Sequence, residues 1–164
     1  MAAQVGRPLR GSPAVAGRCP LGLPTVAAVD PILEDGTPFP TRFWLTCPLA
    51  AKRIGRLESI NGVKRMEGKR LADPGFAARL EAAHRRYERQ RNAELPENHA
   101  GPAPTGGVAG LSMGIKCLHA HFADTAAGND NPVGEVVAGW IEPLNCEIPC
   151  VVEDARNPRW VEPA

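Results

Sequence analysis

The sequence predicts an α+β fold: a small N-terminal antiparallel β-hairpin or three-strand sheet packed on a mainly helical remainder. Two observations carry this. Before Cys47 the apolar segments are short and punctuated by Pro and Gly, whereas from Leu49 the apolar residues recur at helical spacing. The 164 residues are 43% hydrophobic, enough for one domain with its own core, but only 5% aromatic, and 17 Gly and 17 Pro commit much of the length to turns.

Taken in order, residues 1–13 mix small residues, Gly and Pro with Arg7 and Arg10. They predict a flexible N-terminus with at most one helical turn before Gly6. Ala14–Arg18 reads as a strand, Cys19-Pro20-Leu21-Gly22-Leu23-Pro24 as a turn, and Thr25–Val29 as a second strand, a hairpin with Cys19 near its tip. After a loop rich in Gly and Pro, Thr41–Thr46 has the aromatic and β-branched content of a third strand, ending on Cys47-Pro48. Leu49, Ile54 and Leu57 then predict a helix over 48–59. Asn61-Gly62 breaks it, and a second helix continues to Ala72. Asp73 before Pro74 is a favoured helix start, and Phe76, Leu80, Ala83 and Tyr87 share one face of the helix that follows. Residues 94–110, with three prolines and several glycines, predict a flexible connection. A helix over 115–127 comes next, then another from Asn131-Pro132 through Ala138. The domain expected from this runs over 14–139, and residues 140–164 predict an acidic, Pro-rich tail without a stable fold of its own.

The net charge is +1, but it is unevenly placed. Lys52 to Arg91 holds twelve basic residues against five acidic, and Glu135 to the end holds six acidic against two basic. The basic stretch predicts either a solvated face paired with its own acids or a surface for a protein or anionic partner, nucleic acid or polyphosphate. Nucleic acid is not favoured, since few aromatics are interleaved to stack bases. The acidic tail is expected to compete for the same face if it folds back. No apolar run approaches the roughly 20 residues of a membrane span, so no membrane partner is expected. Five cysteines without a secretory signal fit a reducing, cytoplasmic setting with free thiols or metal ligands.

The richest candidate site is Lys116-Cys117-Leu118-His119-Ala120-His121. On a helix Cys117 and His121 would share a face and His119 would point away. Cys19 and Cys47, each followed by proline, are the upstream thiols that could complete a four-ligand set with Cys117 and one of His119 and His121. Zinc is one occupant of such a set and an iron–sulfur cluster another, although the tight cysteine run of ferredoxins is absent. Small buried thiols packing the hairpin onto helices remain open as the plain alternative. So does thiol catalysis, with Cys117 activated by a neighbouring imidazole. Whether the protein is an enzyme is left open.

Three blocks in order carry a resemblance: Arg18-Cys19-Pro20 with Gly22 and Pro24; Gly36-Thr37-Pro38-Phe39-Pro40-Thr41 running to Leu45-Thr46-Cys47-Pro48; and Lys116–His121 with Asn131-Pro132-Val133-Gly134. Together they resemble the family of small bacterial proteins known as domain of unknown function 501, over roughly Gly6 to Ala138. The resemblance implies that Cys19, Cys47, Cys117 and His119 are motif residues. Many members carry a cysteine where this chain has Leu21, which implies one thiolate fewer here. It places Cys146 and Cys150 outside the shared region. The family has no established activity; the genes it often neighbours imply a loose link to cell division or phosphate metabolism.

Overall fold

The computed structural model describes residues 1–9 and 13–163. Three strands, β1 (Ala14–Arg18), β2 (Pro24–Ala28) and β3 (Phe43–Leu45), form an antiparallel sheet in the order β1-β2-β3. The β1–β2 turn closes through Cys19 N–H donating to Leu23 O and Gly22 N–H to Cys19 O, with Gly22 in the left-handed region at φ 77°. The central strand is the buried one: Val26 and Ala27 are covered by the helices. Gly17 on β1 is needed as glycine, because a Cβ there would collide with the carbonyl oxygen of Ala126.

The helical layer begins where Pro48 opens α2 (Pro48–Ser59), followed by α3 (Gly62–Ala72) across a left-handed Asn61. The third helix in this layer, α4 (Pro74–Asn92), starts as the Asp73-Pro74 pair predicts: Asp73 Oδ1 accepts the N–H of Phe76 at 3.0 Å. Helix α5 (Leu118–Ala126) and α6 (Pro132–Ile141) pack together, closely enough that a Cβ at Gly134 would strike Thr125 and the carbonyl of His121. Leu49, Ile54, Leu80, Leu118, Val133 and Val137 form the centre of the helical core, and Val26, Phe43, Tyr87, Val108 and Ala123 join it to the sheet. The α+β architecture and the order of its elements are as the sequence predicts.

Three segments differ from expectation. Of the N-terminal stretch, residues 10–12 lie outside the described residues; Ala2–Val5 form the single helical turn expected before Gly6, α1, but it is anchored, since Gln4 is buried and donates Nε2–H to Pro24 O at 2.8 Å. Residues 94–110 do not run free. Arg91, wholly buried, donates to the carbonyls of Pro40, Pro104 and Gly106, Glu88 accepts the N–H of Gly106, and Val108 is buried under a short 3-10 turn. A guanidinium with five donors satisfies several loop carbonyls at once, so the prolines shape this loop rather than loosen it.

The C-terminal segment is likewise seated on the body. Strands β4 (Val151–Val152) and β5 (Ala155–Arg156) pair across Glu153-Asp154, both with positive φ as a tight two-residue hairpin turn requires. Arg53 donates to the carbonyls of Ile141, Pro143 and Pro163, Arg56 grips Glu162 with both terminal nitrogens, and Lys52 lies over the Trp160 ring. The acidic end therefore does fold back on the basic helix. Long-range pairing of this kind leaves no mark on local composition.

A buried polar knot joins α4, α5 and α6. Asn131 caps α6 through Oδ1, which accepts from Val133 and Gly134 and also faces His121 Nδ1 at 3.1 Å. Its Nδ2 donates to Asp124 Oδ2, which Arg86 also reaches. His84, edge-on to His121, accepts the N–H of Val108 at Nδ1 and donates Nε2–H to Gly114 O. With Nδ1 accepting, the ring is the Nε2–H tautomer, neutral.

Two outcomes follow from these buried groups. Replacing Arg91 by Met should destabilise the protein by roughly 3 kcal/mol or more, because buried carbonyls lose their donors, and should open hydrogen exchange at Val108 first. An unchanged urea midpoint would refute the anchoring. Burial pushes the His121 imidazole down to about 3, and burial likewise lowers His84. Both bind protons in the unfolded chain before the folded one, so their contribution is complete above the ordinary histidine range near pH 6.5 and is lost as pH falls below it, for His121 down towards 3. The slope is up to about 1.4 kcal/mol per pH unit for each histidine. Denaturant titrations at stepped pH should show it, and the His121→Gln variant should be flatter.

Candidate metal centre

Cys117 is not inside a helix. It is the N-cap residue of α5, extended at φ −149° and ψ 119°. The helical spacing expected between Cys117 and His121 therefore does not apply. His121 faces the interior, wholly buried against Asn131 and His84, while His119, in the first turn, swings back towards Cys117.

The first turn of a helix leaves backbone N–H groups without partners. Cys117 offers no side-chain cap, and the missing acceptor arrives from α2: Glu58 Oε1 takes the N–H of Leu118 at 2.6 Å. Its other oxygen, Oε2, lies 3.2 Å from His119 Nδ1. On the far side of the ring, Nε2 is 3.1 Å from the carbonyl of Ala51. A second acid repeats the device one turn earlier in the chain, where Glu67 of α3 accepts the N–H of Ile115 and pairs with Arg70. Acids on two helices thus fix the entry to α5.

The result is that one ligand atom from each of Glu58, Cys117 and His119 lies within 4.8 Å of the others. The imidazole of His119 is pushed up to about 9, first by its hydrogen bond with the Cys117 thiol, against burial, which disfavours the charged ring, and further by the Glu58 carboxylate and the Ala51 carbonyl. All three groups are partly exposed. Cys117 and His119 also form one wall of a cleft of about 360 Å³, whose other sides are Thr41, Phe43, Trp44, Leu45, Ala109 and Ala120, with Lys116 at the rim. Soft sulfur, imidazole and carboxylate in one place form a donor set that zinc accepts, and three ligands leave a fourth position to the cleft.

The remaining expected ligands are elsewhere. Cys19 and Cys47 line a different pocket, together with Cys146 and Cys150, and neither joins Cys117. The reason is topological. Cys19 and Cys47 sit at the hairpin tip and at the start of α2, whereas Cys117 lies beside the far end of α2, where Glu58 is. Glu58 carries no ligand pattern in the sequence. Its only sequence signal is an acid near the end of a basic helix, which reads as an exposed pair.

The family described as "Protein of unknown function (DUF501)" matches residues 15–139. The chain belongs to the DUF501 family. The matched region holds the sheet, all the helices from α2 to α5, most of α6, and the three residues of the candidate centre; it ends before Cys146 and Cys150. No curated protein and no solved structure matches the chain. Among the described residues, no helix is long and apolar enough to cross a membrane.

If Glu58 caps α5, the two substitutions Glu58→Ala and Glu58→Gln should part company. Alanine removes the acceptor for Leu118 and costs roughly 1–2 kcal/mol. Glutamine keeps an acceptor oxygen, so most of the stability should survive, while the His119 titration followed by NMR should fall in both. Equal stability of the two variants would contradict the capping role.

Proposed function

We propose that this DUF501 protein binds a single transition-metal ion, zinc before others, through Cys117 Sγ, a ring nitrogen of His119 and the Glu58 carboxylate. The carrying observation is the convergence of those three donors within 4.8 Å at the edge of a largely apolar cleft. His119 already has the surroundings of a ligand: a carbonyl at Nε2 that fixes the ring, with Nδ1 turned towards the other donors. An ion held by three side chains keeps a position for water or for a donor atom of a small molecule lying on Phe43 and Trp44. Lys116 at the rim suits an anionic group on that molecule. Such an open site fits a binding or hydrolytic role better than a purely structural one.

A second reading has its own observation. Both nitrogens of His119 face oxygen acceptors, which favours the doubly protonated ring, and an imidazolium hydrogen-bonded to a thiol favours the thiolate nucleophile. Cys117 would then be the reacting atom, His119 its charge partner and Glu58 the group that orients His119. A cytoplasmic location fits either reading, since all five cysteines are free. The link to cell division or phosphate metabolism would be the setting in which either operates. An anionic or protein partner along residues 52–91 ranks lower: Arg56, Arg70, Arg79, Arg85 and Arg86 are engaged by the chain's own acids, and such a partner would have to displace them.

Zinc titration of the protein and of Cys117→Ser, His119→Ala and Glu58→Gln separates the two. Metal binding predicts that each variant loses one equivalent of zinc or binds it at least roughly tenfold more weakly, with the fold intact by circular dichroism. Unchanged zinc stoichiometry, together with Cys117 alkylated far faster than the other thiols and slowed in His119→Ala, would favour the thiolate and overturn the metal reading.

A further inference from the structure

A second cluster of ligating side chains lies apart from the centre just described. Cys19 from the β1–β2 turn, Cys47 from the start of α2, and Cys146 and Cys150 from the C-terminal segment all line one small pocket, closed by Gln4 of α1. None of the four is in a disulfide. They come from chain positions as far as 131 residues apart, so their meeting is a product of tertiary structure and not of a local turn.

The pocket is furnished as a site for anionic sulfur. Cys47 is the N-cap residue of α2, so its thiol stands at the positive end of that helix. Trp160 Nε1–H points at Cys146 Sγ at 3.5 Å, and Gln4 Nε2–H at Cys150 Sγ at 3.7 Å. A neutral thiol is a weak acceptor, whereas donors aimed at thiolates are the usual surroundings of metal-bound cysteine. Gln4 supplies an independent sign: it is 4% exposed, yet its Oε1 has no hydrogen-bond partner. Four clustered sulfurs with N–H donors aimed at two of them suit thiolates that share a cation.

We propose that Cys19, Cys47, Cys146 and Cys150 bind one four-thiolate metal centre that ties both ends of the chain to the α2 terminus. An iron–sulfur cluster and a single zinc ion share this ligand chemistry. The spacing puts the cluster first. No three of the four sulfurs lie all within 4.8 Å of one another, whereas a tetrahedral zinc with Zn–S near 2.3 Å needs sulfurs about 3.8 Å apart. Two of the four ligands come from beyond the family match at residues 15–139, so the complete site depends on the C-terminal segment of this chain. It is independent of Cys117, His119 and Glu58.

The test uses the full chain purified without oxygen, then reconstituted with ferrous iron and sulfide, with iron, acid-labile sulfide and zinc measured per chain. The expected result is a coloured protein whose iron and sulfide fall at least tenfold in the Cys146→Ser/Cys150→Ser variant and stay unchanged in Cys117→Ser. A colourless protein with one zinc lost in the same double variant supports the four-thiolate site with zinc as its occupant. Should the double variant fold poorly, thiol alkylation of the native protein decides: all four cysteines should be protected together and released together by chelation. Absence of metal after reconstitution, a Cys146–Cys150 disulfide in the native protein, or full metal retention in the double variant would overturn the proposal.

Discussion

The arrangement of this protein depends on a carboxylate that caps a helix it does not belong to. Glu58 stands near the C-terminal end of α2, and its two oxygens reach the first N–H of α5 and the ring of His119. The contact works on two levels. A carboxylate at a helix N-terminus satisfies an orphaned donor and meets the positive end of the helix dipole, which stabilises the junction. It also holds the ring of His119 beside Cys117, while His121 faces Asn131 and His84 in the interior. Without it the first turn of α5 has no side-chain cap of its own, and the three donors have no reason to converge.

The same economy recurs around the fold. Glu67 holds the segment before α5, Asn131 caps α6 while engaging His121 and Asp124, and Arg91 gathers carbonyls from two loops. Each is a polar side chain that joins elements distant in sequence. With few aromatic residues the apolar core is modest, and buried polar groups, once satisfied, specify which surfaces meet. Tyr87 shows the pattern in one residue: its ring packs edge-on against Phe43, and its hydroxyl accepts the N–H groups of Arg42 and Phe43, fastening α4 to β3.

What could be read from the sequence was what local chemistry determines. Proline after Cys47, Asp73 and Asn131 marks three helix starts, and the apolar face of Phe76, Leu80, Ala83 and Tyr87 is the buried face of α4. Ala14–Arg18 pairs with the strand after it because the turn between them carries Pro and Gly. The candidate centre was legible by half. Cys117 and His119 stand out as ligand types close in sequence, but a helical wheel misassigns the histidines once Cys117 is an extended cap residue. Glu58 is 59 residues away from Cys117 in the chain, and nothing in its neighbourhood separates it from other exposed acids. Prolines in 94–110 and 143–163 likewise read as disorder because the side chains that hold those segments, Arg91, Arg53 and Arg56, lie elsewhere.

The two groups of thiols differ in their surroundings. Cys117 is paired with an imidazole and a carboxylate, partly exposed, and opens on a cleft. That combination leaves room for an incoming molecule. Cys19, Cys47, Cys146 and Cys150 share one small, largely apolar pocket, with N–H donors from Gln4 and Trp160 aimed at two of the sulfurs, so they suit a centre whose effect is on structure or electron content. The helix α2 links them: Cys47 opens it, Ala51 holds His119 one turn later, and Glu58 closes it beside Cys117. A change at the four-thiol end that shifted α2 along its axis would move Ala51 and Glu58 together, and with them the ring of His119. One helix therefore carries residues of both clusters.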